Sequence, residues 1–287
     1  NLTYHIERKV IMKHILRVLV LSLFGVIAFE AAVVANETKN ASEIMTGVWG
    51  HFATPEIKTE IERSKMTSTN WTTPEKFCTL WVKYKEKELM LVLNNGNKLE
   101  PKADGTLIQP SNAVSGFSVL LQKRKEIKIK SSDFDSKSNG TEFNYIDIFR
   151  LIGENPEEFS YTFWDGKISD QIRNLKIDAS IKCVNRRDFK EDYPYRIFHI
   201  VYLNDNSIPA IKGVEYFCSS VAPCKIMIND NLEWNKDYSV WRANSITLFS
   251  YEAGKLQGKT TFELLNRVFN QPIGKIDKKA LMDGDVK

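Results

Sequence analysis

The chain has 287 residues, with 40 lysines and arginines against 36 aspartates and glutamates. The resulting net charge of +4 is small for a protein that must neutralise nucleic-acid phosphates, which takes a concentrated basic surface. We therefore expect no nucleic-acid partner.

Residues 12–35 are typical of a secretory signal peptide, and we exclude the upstream residues 1–11 from the predicted fold. Lys13 and Arg17 precede an apolar run over residues 18–29, and small side chains follow up to Ala35. The run is about 12 residues long, whereas a membrane-spanning helix needs roughly 20. We predict removal of residues 1–35 and a mature protein in the periplasm or outside the cell, in contact with the membrane only through its signal peptide. An uncleaved anchor is the alternative.

Four cysteines remain after the leader, and an exported chain can oxidise them. Three pairings are possible. We favour Cys218 with Cys224, because the CSSVAPC segment contains a proline and small residues that can turn, and this leaves Cys78 with Cys183. Buried thiols are the alternative. The spacings lack the short paired knuckles of structural zinc sites, and we expect neither a metal nor a cofactor.

Next along the chain we predict a helix and then short strands. Thr54, Pro55 and Glu56 supply an N-cap, a first-turn proline and an acidic residue, which predicts a helix to about Met66. Strand patterns then recur about every ten residues, the spacing of an antiparallel barrel or sandwich. They are LMLVLN, EIKIKSS, FNYIDIFRLI, EFSYTFWDGK and RNLKIDASIKC, with a hairpin predicted at Asn95-Gly96.

A second β-rich stretch follows a polar segment. We predict a β-barrel or sandwich domain over residues 36–183, a linker over 184–196, and a smaller β-rich region over 197–287. The strand patterns of that region are RIFHIVYL, GVEYFCSS, CKIMIND and YSVWRANSITLFSYEAG. Near its end, Thr260 and Glu263 form a capping box that predicts a C-terminal helix over TTFELLNRVFN. The predicted fold class is mainly β.

Aromatic and basic residues are the candidates for binding. Most of the six tryptophans should lie in the core, but one or two at a barrel mouth could stack on a ligand. The tryptophans selected are Trp49, Trp81 and Trp164. The one clear basic run could contact an anionic surface or a glycan, or could protect a strand edge. It comprises Lys123, Arg124, Lys125, Lys128 and Lys130.

Catalytic patterns are scarce. After the leader, His51 and His199 are the only histidines, and His199 lies within RIFHIVYL, which predicts a packed strand histidine. The Gly-x-Ser-x-Gly, P-loop and dinucleotide fingerprints are missing from the sequence. A carboxylate-dependent hydrolase needs only two acids beside a cleft. The pairs available are Glu157 with Glu158 and Asp133 with Asp135. We predict no catalytic residue.

The TGVWG segment carries Gly47-x-Trp49 ahead of the strand-rich stretch. This resembles the opening motif of lipocalins over roughly residues 44–183. The resemblance implies that Trp49 closes one end of a barrel that holds a small apolar ligand. Our leading hypothesis is therefore an exported, non-catalytic binding protein. The alternatives are a surface or host-contact protein that binds an extracellular protein or glycan without a cavity, and an extracytoplasmic carboxylate-dependent hydrolase.

Overall fold

The computed structural model describes residues 40–71, 76–83, 88–94, 104–110, 116–121, 125–130, 137, 141–144, 146–147, 156–186, 193–219 and 221–270. Between residues 76 and 130 it describes the backbone and its pairing. The described residues from Ala41 to Asn270 belong to one compact unit. The predicted signal peptide, the Asn95-Gly96 hairpin, Lys123, Arg124, Asp133 and Asp135 lie outside the described residues. Among the helices described, none has the length and apolar character needed to cross a membrane.

The fold is mainly β, as predicted. The strands pair antiparallel in one 13-stranded sheet, in the order β6-β5-β4-β3-β2-β1-β13-β12-β11-β10-β9-β8-β7. The elements are α1 (Ala41–Gly50), β1 (Glu60–Ser68), β2 (Lys76–Lys83), β3 (Glu88–Asn94), β4 (Asp104–Pro110), β5 (Gly116–Leu121), β6 (Lys125–Lys130), a 3₁₀ turn (Pro156–Glu158), β7 (Phe159–Phe163), α2 (Asp170–Arg173), β8 (Ala179–Asn185), β9 (Tyr195–Leu203), β10 (Ile208–Phe217), β11 (Lys225–Asn235), β12 (Val240–Glu252) and β13 (Lys255–Phe269).

Both predicted β regions contribute strands to this one sheet, on either side of the predicted linker at residues 184–196. Strands β8 and β9 flank the predicted linker and pair directly with each other. Strand β1 pairs with β13 over its whole length, from Glu60 opposite Phe269 to Ser68 opposite Thr260. The two halves of the chain therefore share backbone hydrogen bonds within one sheet.

The first helix lies earlier than predicted. Ala41, Ile44, Met45 and Val48 are buried on one side of α1, which is the spacing of an amphipathic helix. The predicted cap does form locally, because Glu56 N donates to Thr54 Oγ1 at 3.4 Å. It closes a single turn, however, and β1 follows at once, since pairing with β2 and β13 on both sides fixes that segment as a strand.

The predicted C-terminal helix is also a strand. Residues 260–269 belong to β13, which lies between β1 and β12 and pairs with both. The apolar residues that favoured a helix do not share one face, since Leu265 lies at a register shift and is 51% exposed. Pairing on two sides outweighs the local capping signal. A strand predicted over FNYIDIFRLI is likewise wrong at Ile146 and Asp147, which are helical.

One of the predicted disulfides is formed. Cys218 and Cys224 are bonded, with their Cα atoms 5.7 Å apart. Cys183 is instead a buried thiol, and its Sγ accepts a hydrogen bond from Arg196 Nη2 at 3.6 Å. Because Cys183 is a thiol, the predicted pairing of Cys78 with Cys183 is not the arrangement in the structure.

The two faces of the sheet carry different cores. Met227 on β11 packs in the cluster that includes α1, whereas its neighbours Ile226 and Ile228 pack with Ile172 of α2. Successive strand residues point to opposite faces. We call the face covered by α1 the helix face and the face covered by α2 the outer face.

Truncating the side chain of Met45, which packs α1 against the sheet, should destabilise the protein. Met45 is fully buried in α1, so Met45→Ala should lower the free energy of unfolding by about 2–5 kcal/mol through lost burial and a cavity. Thr46 is exposed on the same helix, and Thr46→Ala should change it by less than about 0.5 kcal/mol. Urea unfolding measures both. Equal effects of the two substitutions would contradict the packing of α1 on the sheet.

Candidate ligand-binding face

Trp49 fastens α1 to the sheet. Its ring lies 6.0 Å from that of Phe198 on β9 and 5.6 Å from that of Phe52. Only 9% of Trp49 is exposed. Gly47, two residues earlier, comes close to Pro209 on β10. Trp49 is therefore a core residue that packs α1 against the sheet, and its role in closing a barrel around a ligand stays a prediction.

The other two selected tryptophans lie on the outer face. Trp164 packs near Tyr195, with ring centroids 6.5 Å apart, and Lys182 Nζ lies 5.7 Å from its ring. Lys182 lies between Ile181 and Cys183 on β8, and both of these neighbours belong to the helix-face core. Because successive strand residues point to opposite faces, Lys182 occupies an outer-face position. Trp81 is opposite Ile61 on β1 and Met90 on β3. This register gives Trp81 an outer-face position. The structure describes the backbone of Trp81 but not its side chain. The structure thus does not bring the three tryptophans together.

A buried ion pair crosses the helix face. Lys225 Nζ, on β11, donates to Asp147 Oδ2 at 2.5 Å, and both side chains are almost fully buried. Tyr193 Oη donates to Asp147 Oδ1 at 2.7 Å, and Asn144 N donates to Oδ2 at 2.8 Å. Such a network satisfies a buried carboxylate. It ties residues 144–147 to the sheet.

Glu142 makes a second tie on the same face. Its backbone N donates to Thr260 Oγ1 at 2.9 Å, and its carboxylate accepts hydrogen bonds from Lys137, Ser250 and Asn70. Burial raises the pKa of Glu142, but these three donors outweigh it and leave the pKa below its ordinary value. The carboxylate also leaves no room for a Cβ atom at Gly258 on β13. The Glu142 carboxylate is therefore ionised, and its hydrogen bonds are part of the packed structure.

Four charged side chains lie on the helix face where β1 and β12 begin and β13 ends. They are Glu60, Glu62, Arg242 and Arg267. Arg242 Nε and Nη2 donate to Glu60 Oε1 and Oε2 at 2.7 and 2.6 Å. Arg267 Nε donates to Glu62 Oε1 at 2.6 Å and lies 3.4 Å from Glu60 Oε1. Burial and the neighbouring Glu60 raise the pKa of Glu62, and Arg267 opposes this effect. Each carboxylate thus has an arginine partner, as burial requires.

Beyond β1 the register extends the helix face across β2 to β6. Glu62 and Leu80 are opposite each other, and Leu80 is opposite Leu91. Paired residues share a face, so the register identifies the helix-face positions of all five strands. Most of these positions carry apolar residues: Cys78, Leu80, Val82, Leu89, Leu91, Leu93, Ile108, Pro110, Phe117, Val119, Leu121, Ile127 and Ile129. The polar exceptions are Lys76, Asp104, Thr106 and Lys125.

The remaining candidate residues are dispersed. Lys128 and Lys130 occupy outer-face positions of β6, the strand at one end of the sheet order, whereas Lys125 occupies a helix-face position. Glu157 and Glu158 lie in the 3₁₀ turn before β7. Three residues of the basic run, Lys125, Lys128 and Lys130, thus lie on the strand at one end of the described sheet order, and both interpretations of the run stay predictions.

The two histidines lie in different surroundings. His199 is fully buried in β9, as predicted, and its Nε2 lies 3.0 Å from Glu215 Oε2. His51 follows α1, with its Nδ1 3.2 Å from the Ser239 carbonyl oxygen. Sequence reasoning missed the ionic residues of the helix face and Glu215. A charged residue within an otherwise apolar strand, such as the Glu of GVEYF, was the available signal.

Comparison with known proteins supports the fold. No family model and no curated protein matches the chain. A solved domain from Vibrio parahaemolyticus that is assigned to outer membrane lipoprotein sorting aligns with TM-score 0.66 at 13% identity, over 85% of this chain and 98% of that one. A DUF1329 family protein from Desulfovibrio piger aligns with TM-score 0.62 at 10% identity, over 81% and 93%.

A third solved protein, a LolA superfamily protein from Nitrosomonas europaea, aligns with TM-score 0.50 at 10% identity, over 85% of this chain and 97% of that one. The chain thus has the antiparallel β fold of these proteins. The expected β-sheet architecture is confirmed. Membership of the lipocalin family, which the Gly47-x-Trp49 motif suggested, is not.

The lowered pKa of Glu142 predicts how the free energy of unfolding changes with pH. An acid whose pKa is depressed by folding stabilises the protein above its unfolded pKa, and this contribution disappears as the pH falls through the folded pKa. The free energy of unfolding should therefore fall more steeply between about pH 5 and pH 3 in the wild type than in Glu142→Gln. Urea unfolding across this range measures the difference.

The control for this experiment is Glu252→Gln, at an exposed position at the end of β12. It should follow the wild-type curve. Parallel curves for Glu142→Gln and the wild type would show that the Glu142 network does not hold an ionised carboxylate.

Proposed function

We propose that this protein is exported, catalyses no reaction, and binds an apolar ligand, such as a lipid acyl chain, on the helix face of its sheet. The observation that carries the proposal is the row of apolar register positions from β2 to β6. At about 4.8 Å between strands, this row spans about 19 Å, enough to lie along an extended hydrocarbon chain. Burial of apolar surface would supply the binding free energy.

The ionic groups of the helix face fit this function. The carboxylates of Glu60 and Glu62 are matched by Arg242 and Arg267, and Asp147 by Lys225. Neutralisation of these three carboxylates leaves the part of the face around them without a free negative charge, which favours an apolar ligand over a cationic one. The polar exceptions on this face, Lys76, Asp104, Thr106 and Lys125, would contact the head group of an amphipathic ligand.

Two further observations support the proposal. The fold resembles that of a domain assigned to lipoprotein sorting, a task that requires binding of acylated proteins. The N-terminal leader pattern agrees with export. A surface-contact function is the second candidate, because Lys128 and Lys130 lie on the outer face of an end strand.

Two adjacent residues of β3 give a matched test of the ligand face. Leu91 occupies a helix-face position and Val92 the opposite face, as their partners Leu80 and Thr79 show. Leu91→Gln should weaken binding of a long-chain fluorescent fatty acid about tenfold or more, because it places an amide within the apolar row. Val92→Gln should bind like the wild type.

Circular dichroism should confirm that both variants are folded. Native mass spectrometry of the protein purified from its own host should reveal a lipid that Leu91→Gln retains poorly. Equal binding by the two variants, or a wild-type protein that binds no fatty acid and carries no lipid, would contradict the proposal and favour the surface-contact function.

A further inference from the structure

The outer face carries a half-open cleft that the proposed function does not use. Its volume is about 330 Å³, which lies at the lower end of the range for small-molecule sites. One wall is the segment around α2, the other is the loop closed by the Cys218–Cys224 disulfide, and strands β10 to β12 form the floor. The lining residues that matter for the argument are Lys167, Asp170, Glu215, Phe217, Val221 and Tyr251.

A buried carboxylate lies at the base of this cleft. Glu215 is 1% exposed, and its Oε1 accepts hydrogen bonds from Ser169 N, at 2.9 Å, and from Ser169 Oγ. Its Oε2 lies 3.0 Å from His199 Nε2, and the other ring nitrogen of His199 is 2.9 Å from Ser180 Oγ. Burial raises the pKa of Glu215, but the His199 and Ser169 hydrogen bonds outweigh it and lower the pKa. The network thus fixes the orientation of an anionic group.

The hydroxyl of Tyr251 is another polar group in the lining. Tyr251 Oη is buried and makes no well-formed hydrogen bond within the described part of the chain, and the Gln171 side chain is placed to hydrogen-bond to it, which lowers its pKa against the larger raising effect of burial. Buried hydroxyls in proteins usually have partners. Since Tyr251 lines the cleft together with Glu215, a ligand there could complete the hydrogen bonding of this hydroxyl.

The wall opposite α2 is apolar and held by the disulfide. Val221, at the tip of the loop, is 89% exposed, and Ala222 and Pro223 follow it into the cleft. Cys224 anchors the loop, because its N donates to the Tyr216 carbonyl at 2.8 Å and its carbonyl accepts from Tyr251 N at 2.7 Å. The disulfide thus positions an apolar wall beside the polar base.

We propose that this cleft binds a small primary amine with an apolar body, whose ammonium group donates to Glu215 and Tyr251 and whose body packs between Phe217 and the Val221–Pro223 wall. Asp170 of the lining is already paired, since its Oδ1 lies 2.9 Å from Arg173 Nη1, and Lys167 is the one ammonium group of the lining. The group that favours a cation is therefore the Glu215 carboxylate at the base of the cleft. Charge-assisted hydrogen bonds to a fixed carboxylate are among the stronger polar contacts in proteins.

The test measures binding of the 2-phenylethylammonium ion to the mature protein by calorimetry and by amide chemical shifts. We expect saturable binding at one site, with shifts concentrated in residues 167–171, 215–224 and 251–254. Phenylacetate, which has the opposite charge on a similar body, should bind about tenfold more weakly or not at all. Equal affinity for the two probes, or no saturable binding of the amine, would overturn the proposal.

Three substitutions locate the site. Glu215→Gln should weaken amine binding about tenfold or more, and Tyr251→Phe by a smaller factor of about three. Glu252→Gln, the same chemical change next to Tyr251 but exposed, should have no effect. Unchanged binding in a folded Glu215→Gln protein would refute the assignment.

If Glu215→Gln does not fold, an exposed position replaces it. Val221→Lys adds a cation at the mouth of the cleft without touching the core, and it should weaken amine binding about threefold or more by repulsion. Val221→Gln should bind like the wild type. Equal binding by Val221→Lys and Val221→Gln would place the amine elsewhere and overturn the proposal.

Discussion

The pairing of β1 with β13 is the constraint on which the whole fold depends. It joins strands whose residues are nearly 200 positions apart, for example Ser68 opposite Thr260, and through it the series β1–β6 and β7–β13 become one sheet. Closing so long a loop costs conformational entropy that local contacts cannot offset. The protein therefore gains this pairing only together with the packing around it.

That packing consists of the apolar helix-face core and of buried polar ties. Met66 on β1 belongs to the same cluster as Leu248 on β12 and Met45 on α1, so the cluster spans the junction of the two series. Glu60 with Arg242 and Glu62 with Arg267 connect the same strands by charge. Since removal of one partner of a buried pair leaves an uncompensated charge, these ties favour one arrangement of the strands over others.

Sequence patterns predicted the strands better than the helices. EIKIK and RIFHIVYL became β6 and β9 because their local pattern and their tertiary pairing agree. Around Thr260 the two disagree, and a real capping signal is overridden by partners on both sides of β13. The spacing of Ala41, Ile44 and Met45 was present in the sequence, but the Gly47-x-Trp49 motif favoured a different interpretation. The outer cleft could not be predicted, because only the register brings Glu215 and Tyr251 together.

The most direct test of this account is a cross-link between β1 and β13. Thr67 and Thr261 are directly opposite each other, and cross-strand Cα distances of about 4.5–5.5 Å permit a disulfide. In the Thr67→Cys, Thr261→Cys variant, non-reducing peptide mapping of the folded protein should recover the two cysteine-containing peptides joined by a disulfide in most of the molecules. Folded protein in which these two cysteines never join would contradict the single sheet and with it the continuous helix face.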